Sequence, residues 1–324
     1  MAIVASEHGP NGVRLVAIDE HGDRQFELIE PATTKVRDQN PAVSPDGRWI
    51  VFASSRDRAF DTTSLWIAAV GVEVTPARLT TGDWIDTQPV WTPDGSAIVL
   101  ASTRDGGDFD LWRLAIRDGR PGSVEQLTHG ADHEVTPTIA PDGTILYASV
   151  QADPTARGVR SRLEQRAPDG TIQVLTSGPA DTSPAFSPDG RSIVFARPAQ
   201  HGDSMQTELW KMARGSELAT QLVVLPITEE SGPVWSRDGR FVFATSLLRG
   251  DADRPLFSSI VHVDLREDPP HARMLGERAG PVSRLTPAVS TTRLDVQALR
   301  SDPEYLPELA RIMAAKIADE QAQQ

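Results

Sequence analysis

The stretch VSPDG, residues 43–47, decides the fold because the chain repeats it. Later copies read WTPDG (91–95), IAPDG (139–143), FSPDG (186–190) and WSRDG (235–239). The Asp-Gly pair therefore returns every 47 to 49 residues. A constant period of this length is typical of repeat architectures, in which each copy is one supersecondary unit.

The sequence around each copy predicts the content of the unit. Asp-Gly lies between two apolar stretches, such as PAVS (41–44) and WIVFAS (49–54), and this is a strong β-hairpin signal. A third apolar stretch follows after a variable loop, for example SLWIAAV (64–70), and a fourth ends in ARLTTG (77–82). Four antiparallel strands per repeat predict the blade of an all-β propeller.

The two ends of the chain predict how the propeller closes. IVAS (3–6), VRLVAIDE (13–20) and QFELIE (25–30) match the second, third and fourth strands of a repeat. The missing first strand is found in RLTPAVS (284–290). We therefore predict one domain over residues 1–291, a six-bladed β-propeller closed by pairing of the N- and C-terminal strands. Such closure removes open sheet edges.

The tail, residues 292–324, predicts an amphipathic α-helix at about residues 303–320. Asp302 suits the N-cap, and Pro303 suits the first helical position. Apolar residues recur on one face of such a helix, at Leu306, Leu309, Met313 and Ile317. A short isolated helix is marginal in water, so we expect this one to dock on the propeller, or alternatively on a partner protein.

The repeat resembles the TolB-type propeller family, with its x-Pro-x-aromatic-Ser-Pro-Asp-Gly core. The resemblance covers roughly residues 1–291. It implies a propeller that binds partner proteins, as TolB does. The same repeat family also supplies the propellers of oligopeptidases and of metal-dependent oligogalacturonate lyases, so the resemblance leaves the function open.

Composition restricts the partners. The 324 residues carry a formal net charge of −13, which argues against nucleic acid and anionic membrane surfaces as ligands. There is no cysteine, and no apolar run approaches the roughly 20 residues of a membrane span, so we predict no membrane insertion. The compartment stays open: we expect the cytoplasm if Met1 is the native start, and the periplasm or exterior if an export signal preceded it.

A charged residue stands three positions before the repeat proline in every first strand. We call these residues the acidic ring, and the propeller face that we expect them to share the channel-mouth face; they are Asp38, Asp86, Glu134, Asp181, Glu230 and, in the C-terminal strand, Arg284. One interpretation is that each carboxylate accepts backbone N–H bonds within its own loop. The other is that the ring binds a cationic ligand or Ca²⁺, which takes six to eight oxygen ligands.

Two loops add further candidates on the same face. Trp84, in TGDWID (81–86), is predicted to be an aromatic binding anchor. LTHGADHE (127–134) offers His129 and His133 beside Glu134, a set that invites a zinc or manganese hypothesis. The sister loops have no histidine at these positions, which argues against a metal.

The sequence predicts a non-enzymatic binding or scaffold protein that recognises a protein or a small, cationic ligand at the channel-mouth face. No residue is assigned a catalytic role, because the chain has no Gly-x-Ser-x-Gly elbow, phosphate loop or dinucleotide motif. The alternative is a metal-dependent propeller enzyme, a lyase or hydrolase, that uses the channel-mouth carboxylates and histidines.

Overall fold

The structure is a computed structural model. It describes residues 2–9, 12–19, 25–29, 35–59, 62–70, 75–153, 158–202, 204–225, 228–248, 257–275 and 283–289. Its regular elements within these ranges are all β-strands. No helix in the described part of the chain could cross a membrane.

The strands follow one another through the described chain. They are β1 (Ala2–Gly9), β2 (Gly12–Asp19), β3 (Gln25–Glu27), β4 (Val36–Val43), β5 (Trp49–Ser54), β6 (Ser64–Ala69), β7 (Ala77–Arg78), β8 (Asp86–Trp91), β9 (Ala97–Ser102), β10 (Asp110–Arg117), β11 (Arg120–Gln126), β12 (His133–Ile139), β13 (Ile145–Asp153), β14 (Gly158–Arg166), β15 (Ile172–Val174), β16 (Thr182–Phe186), β17 (Ser192–His201), β18 (Ser204–Ala213), β19 (Ala219–Gln221), β20 (Thr228–Trp235), β21 (Phe241–Leu248), β22 (Phe257–Asp264), β23 (His271–Leu275) and β24 (Ser283–Val289).

These strands form five sheets. Four sheets have four strands each: β8 to β11, β12 to β15, β16 to β19 and β20 to β23. The fifth has eight strands in the order β24-β1-β2-β4-β5-β6-β7, with β3 on β2. Each hairpin is antiparallel, as the Asp-Gly turns predict.

The predicted six-bladed propeller with a C-terminal helix is wrong. The described residues form five sheets because β2 pairs in parallel with β4, through Gly12 with Val36 and Val13 with Arg37. This short contact joins the N-terminal strands to the sheet of the first full repeat. The described residues contain no helix, and the predicted helix at 303–320 lies outside them.

The predicted pairing of the N- and C-terminal strands is present. β24 lies antiparallel to β1, with Ile3 opposite Val289 and Val4 opposite Ala288. β24 also contacts β20 and β4, so the first strands β4, β8, β12, β16, β20 and β24 are neighbours in a closed cycle. The propeller axis is therefore surrounded by the strands that carry the acidic ring.

The core lies between neighbouring sheets. Every residue of β5 and of β9 is buried. One apolar cluster joins Val51 and Ile67 of one sheet to Ile98 and Leu100 of the next. The indole of Trp91 completes this contact, since its Nε1 donates to the carbonyl of Ala42 at 3.1 Å. Sheet stacking thus follows directly from second strands that are apolar on both faces.

The repeated turn has a chemical explanation. Ser44 Oγ donates to Asp46 Oδ1 at 2.5 Å and accepts the N–H of Trp49 at 2.9 Å, while Gly47 takes a φ of 75°. The same carboxylate caps the N–H of Arg48 at 3.0 Å. Serine, aspartate and glycine therefore each stabilise this hairpin turn.

Each of the five full repeats also has a bulge that the sequence analysis did not foresee. The residue before the repeat proline has a φ between 49° and 57°; these residues are Asn40, Gln88, Thr136, Ser183 and Gly232. The register of each first strand shifts there. A left-handed backbone at four non-glycine positions is uncommon. The bulge lies two residues after the acidic-ring carboxylate, so it bends the first strand close to that carboxylate.

The bulge predicts opposite effects for two matched substitutions. Thr136→Gly should raise the free energy of unfolding by about 1 kcal/mol. It removes a β-branched residue from a left-handed backbone position, together with a buried Oγ1 that has no hydrogen-bond partner in the described part of the chain. Gly232→Thr should lower it by about 1–2 kcal/mol, although no described atom would contact the added Cβ. Urea denaturation of both variants measures this. Changes of the same sign would contradict the bulge account.

Candidate functional site

The five acidic-ring carboxylates occupy equivalent positions. Each lies within the first three residues of its first strand or just before that strand, and all five side chains are buried. Four of them face a serine of the second strand; the pairs are Asp38 with Ser54, Asp86 with Ser102, Glu134 with Ser149 and Glu230 with Ser246. Because the first strands contact one another in a cycle, these positions lie on one edge of the propeller. Arg284 takes the corresponding place in β24, opposite Glu7 of β1.

The three aspartates of the ring are each neutralised by an arginine of the same repeat. Arg56 Nη2 lies 2.7 Å from Asp38 Oδ2, and Arg104 Nη2 lies 2.7 Å from Asp86 Oδ1; these are the first two pairs. In the third, Arg197 donates to both oxygens of the fully buried Asp181, at 2.6 and 2.8 Å. The three aspartates are thus bound by arginine side chains in or just after the second strand rather than by the backbone of their own loops.

The arginine partners have a sequence signal that the sequence analysis missed. In two repeats the arginine stands two residues after the serine that faces the carboxylate, as in Ser54 to Arg56 and Ser102 to Arg104. In the repeat of Glu134 the same step leads from Ser149 to Gln151. A neutral residue therefore stands where these two repeats supply a guanidinium.

Glu134 is the ring member whose charge is least compensated. Its side chain is buried, and its Oε2 accepts no hydrogen bond from any described residue. Burial is the largest cause that raises the pKa of Glu134 to about 8; the Thr128 hydroxyl opposes it, and the charges of Asp110 and Asp132 add to it. Near neutral pH, Glu134 is therefore mostly protonated.

Asp110 brings a second buried carboxyl group to Glu134. It begins β10 of the preceding sheet, and the backbone N–H of Glu134 donates to the carbonyl of Phe109 at 2.6 Å. Burial, and then the charge of Asp108, raises the pKa of Asp110, while a hydrogen bond with the Glu134 carboxyl lowers it. Two acidic groups thus meet between adjacent sheets. When Glu134 is protonated, its hydroxyl can donate a hydrogen bond to the Asp110 carboxylate.

Glu230 resembles Glu134 within the described part of the chain. Thr228 and Ser246 both donate to its Oε1, at 2.6 and 3.1 Å, and its buried Oε2 accepts no hydrogen bond there. Burial is the largest cause that raises its pKa, and the charges of Glu208 and Glu229 contribute. Burial thus raises the pKa of both glutamates of the ring.

A polar network lies next to Glu134. Asp132 accepts hydrogen bonds from Ser149 Oγ at 3.0 Å, from Gln151 Nε2 at 2.7 Å and from Arg162 Nη2 at 3.2 Å. Arg162 Nε also donates to Glu164 Oε1 at 2.7 Å. Gln151 and Arg162 are thus bound to Asp132, which leaves Glu134 without their donors.

Trp84 contacts a member of the acidic ring, Asp86. It is half-buried, and its Nε1 donates to Asp86 Oδ2 at 3.1 Å. The Arg104 guanidinium lies 5.3 Å from the Trp84 ring centroid and 5.1 Å from that of Trp112. Trp84 therefore packs against a neutralised Asp–Arg pair, and its role as a binding anchor stays a prediction.

His129 and His133 are both exposed. His133 Nδ1 accepts the N–H of Phe109 at 3.1 Å, so one of its nitrogens already has a partner. Nowhere in the described ranges do three His, Asp or Glu side chains form a group that could hold a metal ion. Zinc or manganese at this loop and Ca²⁺ at the ring stay predictions, and the three aspartates that calcium would use are bonded to arginines.

Comparison with protein families agrees with this architecture. The family model described as the TolB beta propeller domain matches residues 25–239. The chain belongs to the TolB beta-propeller domain family. The matched residues include all five Asp-Gly turns and all five acidic-ring carboxylates, so the ring lies within the family's own repeats. The predicted family resemblance is confirmed.

Solved structures show the same TolB-type fold. A putative TolB from Agrobacterium tumefaciens is 18% identical with a TM-score of 0.65, over 85% of this chain and 89% of that chain. TolB from Acinetobacter baumannii is 16% identical with a TM-score of 0.66, over 89% and 66% of the two chains. An oligogalacturonate lyase in complex with manganese is 14% identical with a TM-score of 0.54, over 86% and 73%.

These structural likenesses establish the fold alone. TolB proteins and a lyase share it, so the function of this TolB-type propeller has to be argued from its own residues. A search of curated protein sequences finds no match to the chain.

Proposed function

We propose that this TolB-type propeller is a non-enzymatic binding protein that recognises a basic protein segment or a small cationic ligand at its channel-mouth face. The observation that carries the proposal is the uncompensated Glu134. The equivalent Asp38 and Asp86 each bind an arginine, whereas Glu134 has a buried oxygen with no partner among the described residues. A buried polar atom without a hydrogen bond is costly, so a ligand that satisfies it gains affinity.

The charge of the chain supports a basic or cationic ligand. The formal net charge is −13, and Asp110 and Asp132 add negative charge beside Glu134. A negative surface of this kind increases the association rate of a positively charged ligand and repels an acidic one. Long-range electrostatic attraction and the unpartnered oxygen of Glu134 thus both favour a positively charged ligand.

The ring aspartates are poorly placed for catalysis. Asp181 uses both oxygens to accept bonds from Arg197, and Asp38 and Asp86 are paired as well. A carboxylate held in this way has no free oxygen positioned to take a proton from a substrate. This supports a binding role for the face rather than an enzymatic one.

One observation favours the alternative, a propeller enzyme. A glutamic acid with a pKa of about 8 next to a second carboxyl group, here Asp110, is an arrangement that general acid–base catalysis uses. The fold is also that of an oligogalacturonate lyase solved with manganese. Metal analysis of purified protein and of His133→Ala discriminates the two. Stoichiometric zinc or manganese that the variant loses would favour the enzyme; equal metal content favours the binding protein.

Selection of displayed random peptides against the purified protein tests the proposed function. Hydrogen exchange of the protein with and without each selected peptide then maps the bound face. We expect protection in the loops before the first strands, at 80–86 and 127–134. We also expect His133→Glu to change affinity and Arg240→Glu, next to an Asp-Gly turn, to leave it unchanged. Protection confined to the Asp-Gly turns would refute the proposal.

A further inference from the structure

We propose that Glu134 is a socket for a guanidinium group supplied by the ligand, which takes the place that Arg56 and Arg104 hold beside the equivalent aspartates. By socket we mean the Glu134 carboxyl group with its neighbours Asp110 and Asp132. The inference rests on the proposed function and adds the chemical class of the group that is recognised, an arginine side chain.

The internal repetition of the chain is the first argument. Asp38 and Glu134 each lie within the first three residues of a first strand, and each faces a serine of the second strand. Two residues after that serine stands Arg56 in one repeat and Gln151 in the other. The same backbone arrangement therefore binds a guanidinium where the sequence provides one, and Glu134 offers an acceptor where it does not.

The unpartnered atom is the second argument and is independent of the repeat. Glu134 Oε2 is buried and accepts no hydrogen bond within the described ranges. Gln151, at the position that corresponds to Arg56, gives its Nε2 to Asp132 at 2.7 and 2.8 Å. The described neighbours thus leave one strong acceptor unused, at a position where Arg104 reaches Asp86 at 2.7 Å in the preceding repeat.

The geometry of the filled positions indicates guanidinium as the preferred group. Arg197 binds Asp181 through two parallel N–H···O bonds, and Arg56 likewise reaches both oxygens of Asp38. Such bidentate pairs are stronger than single hydrogen bonds and select a planar fork over a single ammonium. A lysine side chain should therefore bind more weakly than arginine.

Binding at the socket should release a proton. The groups that face Glu134 are Asp110 of β10, Asp132 of the loop before β12, Tyr147 of β13 and Glu164 of β14, with His129 near Asp110. Glu134 must ionise to pair with a cation, and its pKa in the free protein is about 8. Affinity should therefore rise about tenfold per pH unit as the pH increases toward 8, and level off above it.

The experiment compares two short peptides, N-acetyl-Gly-Arg-Gly amide and the same peptide with citrulline, which has the shape of arginine without its charge. Calorimetric titration of the full chain is run at about pH 8, where Glu134 is ionised to a large extent. We expect the arginine peptide to bind at least about tenfold more tightly than the citrulline peptide. Equal affinity, or no binding of either peptide, would overturn the inference.

Three variants locate the binding. Glu134→Gln should abolish the preference for arginine. Gln151→Arg should abolish it too, because an internal guanidinium then fills the socket, whereas Gln151→Leu should keep it. Circular dichroism checks that each variant is folded. Retained preference in Gln151→Arg would overturn the inference even if Glu134→Gln were misfolded.

The two proposals fail in different ways. Selected peptides that protect the channel-mouth loops but show no arginine preference would remove the socket and leave the binding face in place. Selected peptides that bind elsewhere would remove both.

Discussion

Removal of residues 283–324 should unfold the propeller. The deletion takes away β24, which pairs with β1 and contacts β4 and β20. The cycle of first strands then opens and β1 becomes an uncovered edge. Loss of such a closure should cost more than about 5 kcal/mol, which is the entire stability of many domains. Far-ultraviolet circular dichroism and thermal unfolding measure the effect.

The matched control is a chain that ends at residue 291 and keeps β24. It should melt close to the full-length protein, because it retains the pairing of Ile3 with Val289. If the chain without β24 instead melts at the same temperature as this control, the closure by terminal strands does not stabilise the fold.

Arg197→Met should lower the free energy of unfolding by about 3–5 kcal/mol, as expected when a buried ion pair loses one partner. Asp181 is fully buried, and both of its oxygens accept hydrogen bonds from Arg197. Methionine keeps an apolar stem near Phe195 and Trp210. In the wild type, Arg197 Cζ lies 4.9 Å from the Phe195 ring centroid and 5.3 Å from that of Trp210. The loss therefore reports the uncompensated charge of Asp181 rather than lost packing.

Two further variants check this interpretation in urea denaturation. Arg240→Met removes a largely exposed pair with Asp238, 3.5 Å apart, and should cost less than about 1 kcal/mol. Adding Asp181→Leu to Arg197→Met should recover a large part of the loss, since it removes the orphaned charge. An Arg197→Met effect no larger than that of Arg240→Met would contradict the account.

Much of the fold could be predicted from the sequence because its turn chemistry is local. Ser44, Asp46 and Gly47 close a hairpin through their own hydrogen bonds, so their repetition predicts repeated hairpins. The pairing of β1 with β24 followed from a missing strand at one end and a spare one at the other. The parallel contact of β2 with β4 was not predictable, because two residue pairs leave no periodic pattern.

The candidate site was predictable in position and not in charge state. A fixed offset from the repeat proline predicts that Asp38 and Glu134 are equivalent, and the structure places both within the first three residues of a first strand. Whether each is compensated depends on a residue about 18 positions later, Arg56 or Gln151, on another strand. That dependence becomes visible only when strand register shows which serine faces each carboxylate.

The raised pKa of Glu134 makes stability depend on pH in a definite direction. In the folded state the proton is held up to about pH 8, whereas the ordinary value is 4.5. Between these values the unfolded chain binds fewer protons than the folded one, so stability falls as pH rises from about 4.5 to about 8 and the loss is complete above that. Glu134→Gln removes this dependence, and the variant should therefore gain stability relative to the wild type across the same window.

Glu134 lacks the arginine partner that the ring aspartates have, and titration of its carboxyl carbon by NMR tests this most directly. Glu134→Gln identifies the resonance by its disappearance. We expect a midpoint at about pH 8 in the wild type. In Gln151→Arg we expect a midpoint well below that, because an arginine then neutralises the carboxylate as Arg56 and Arg104 do in their repeats. A wild-type midpoint near the ordinary 4.5 would contradict the account.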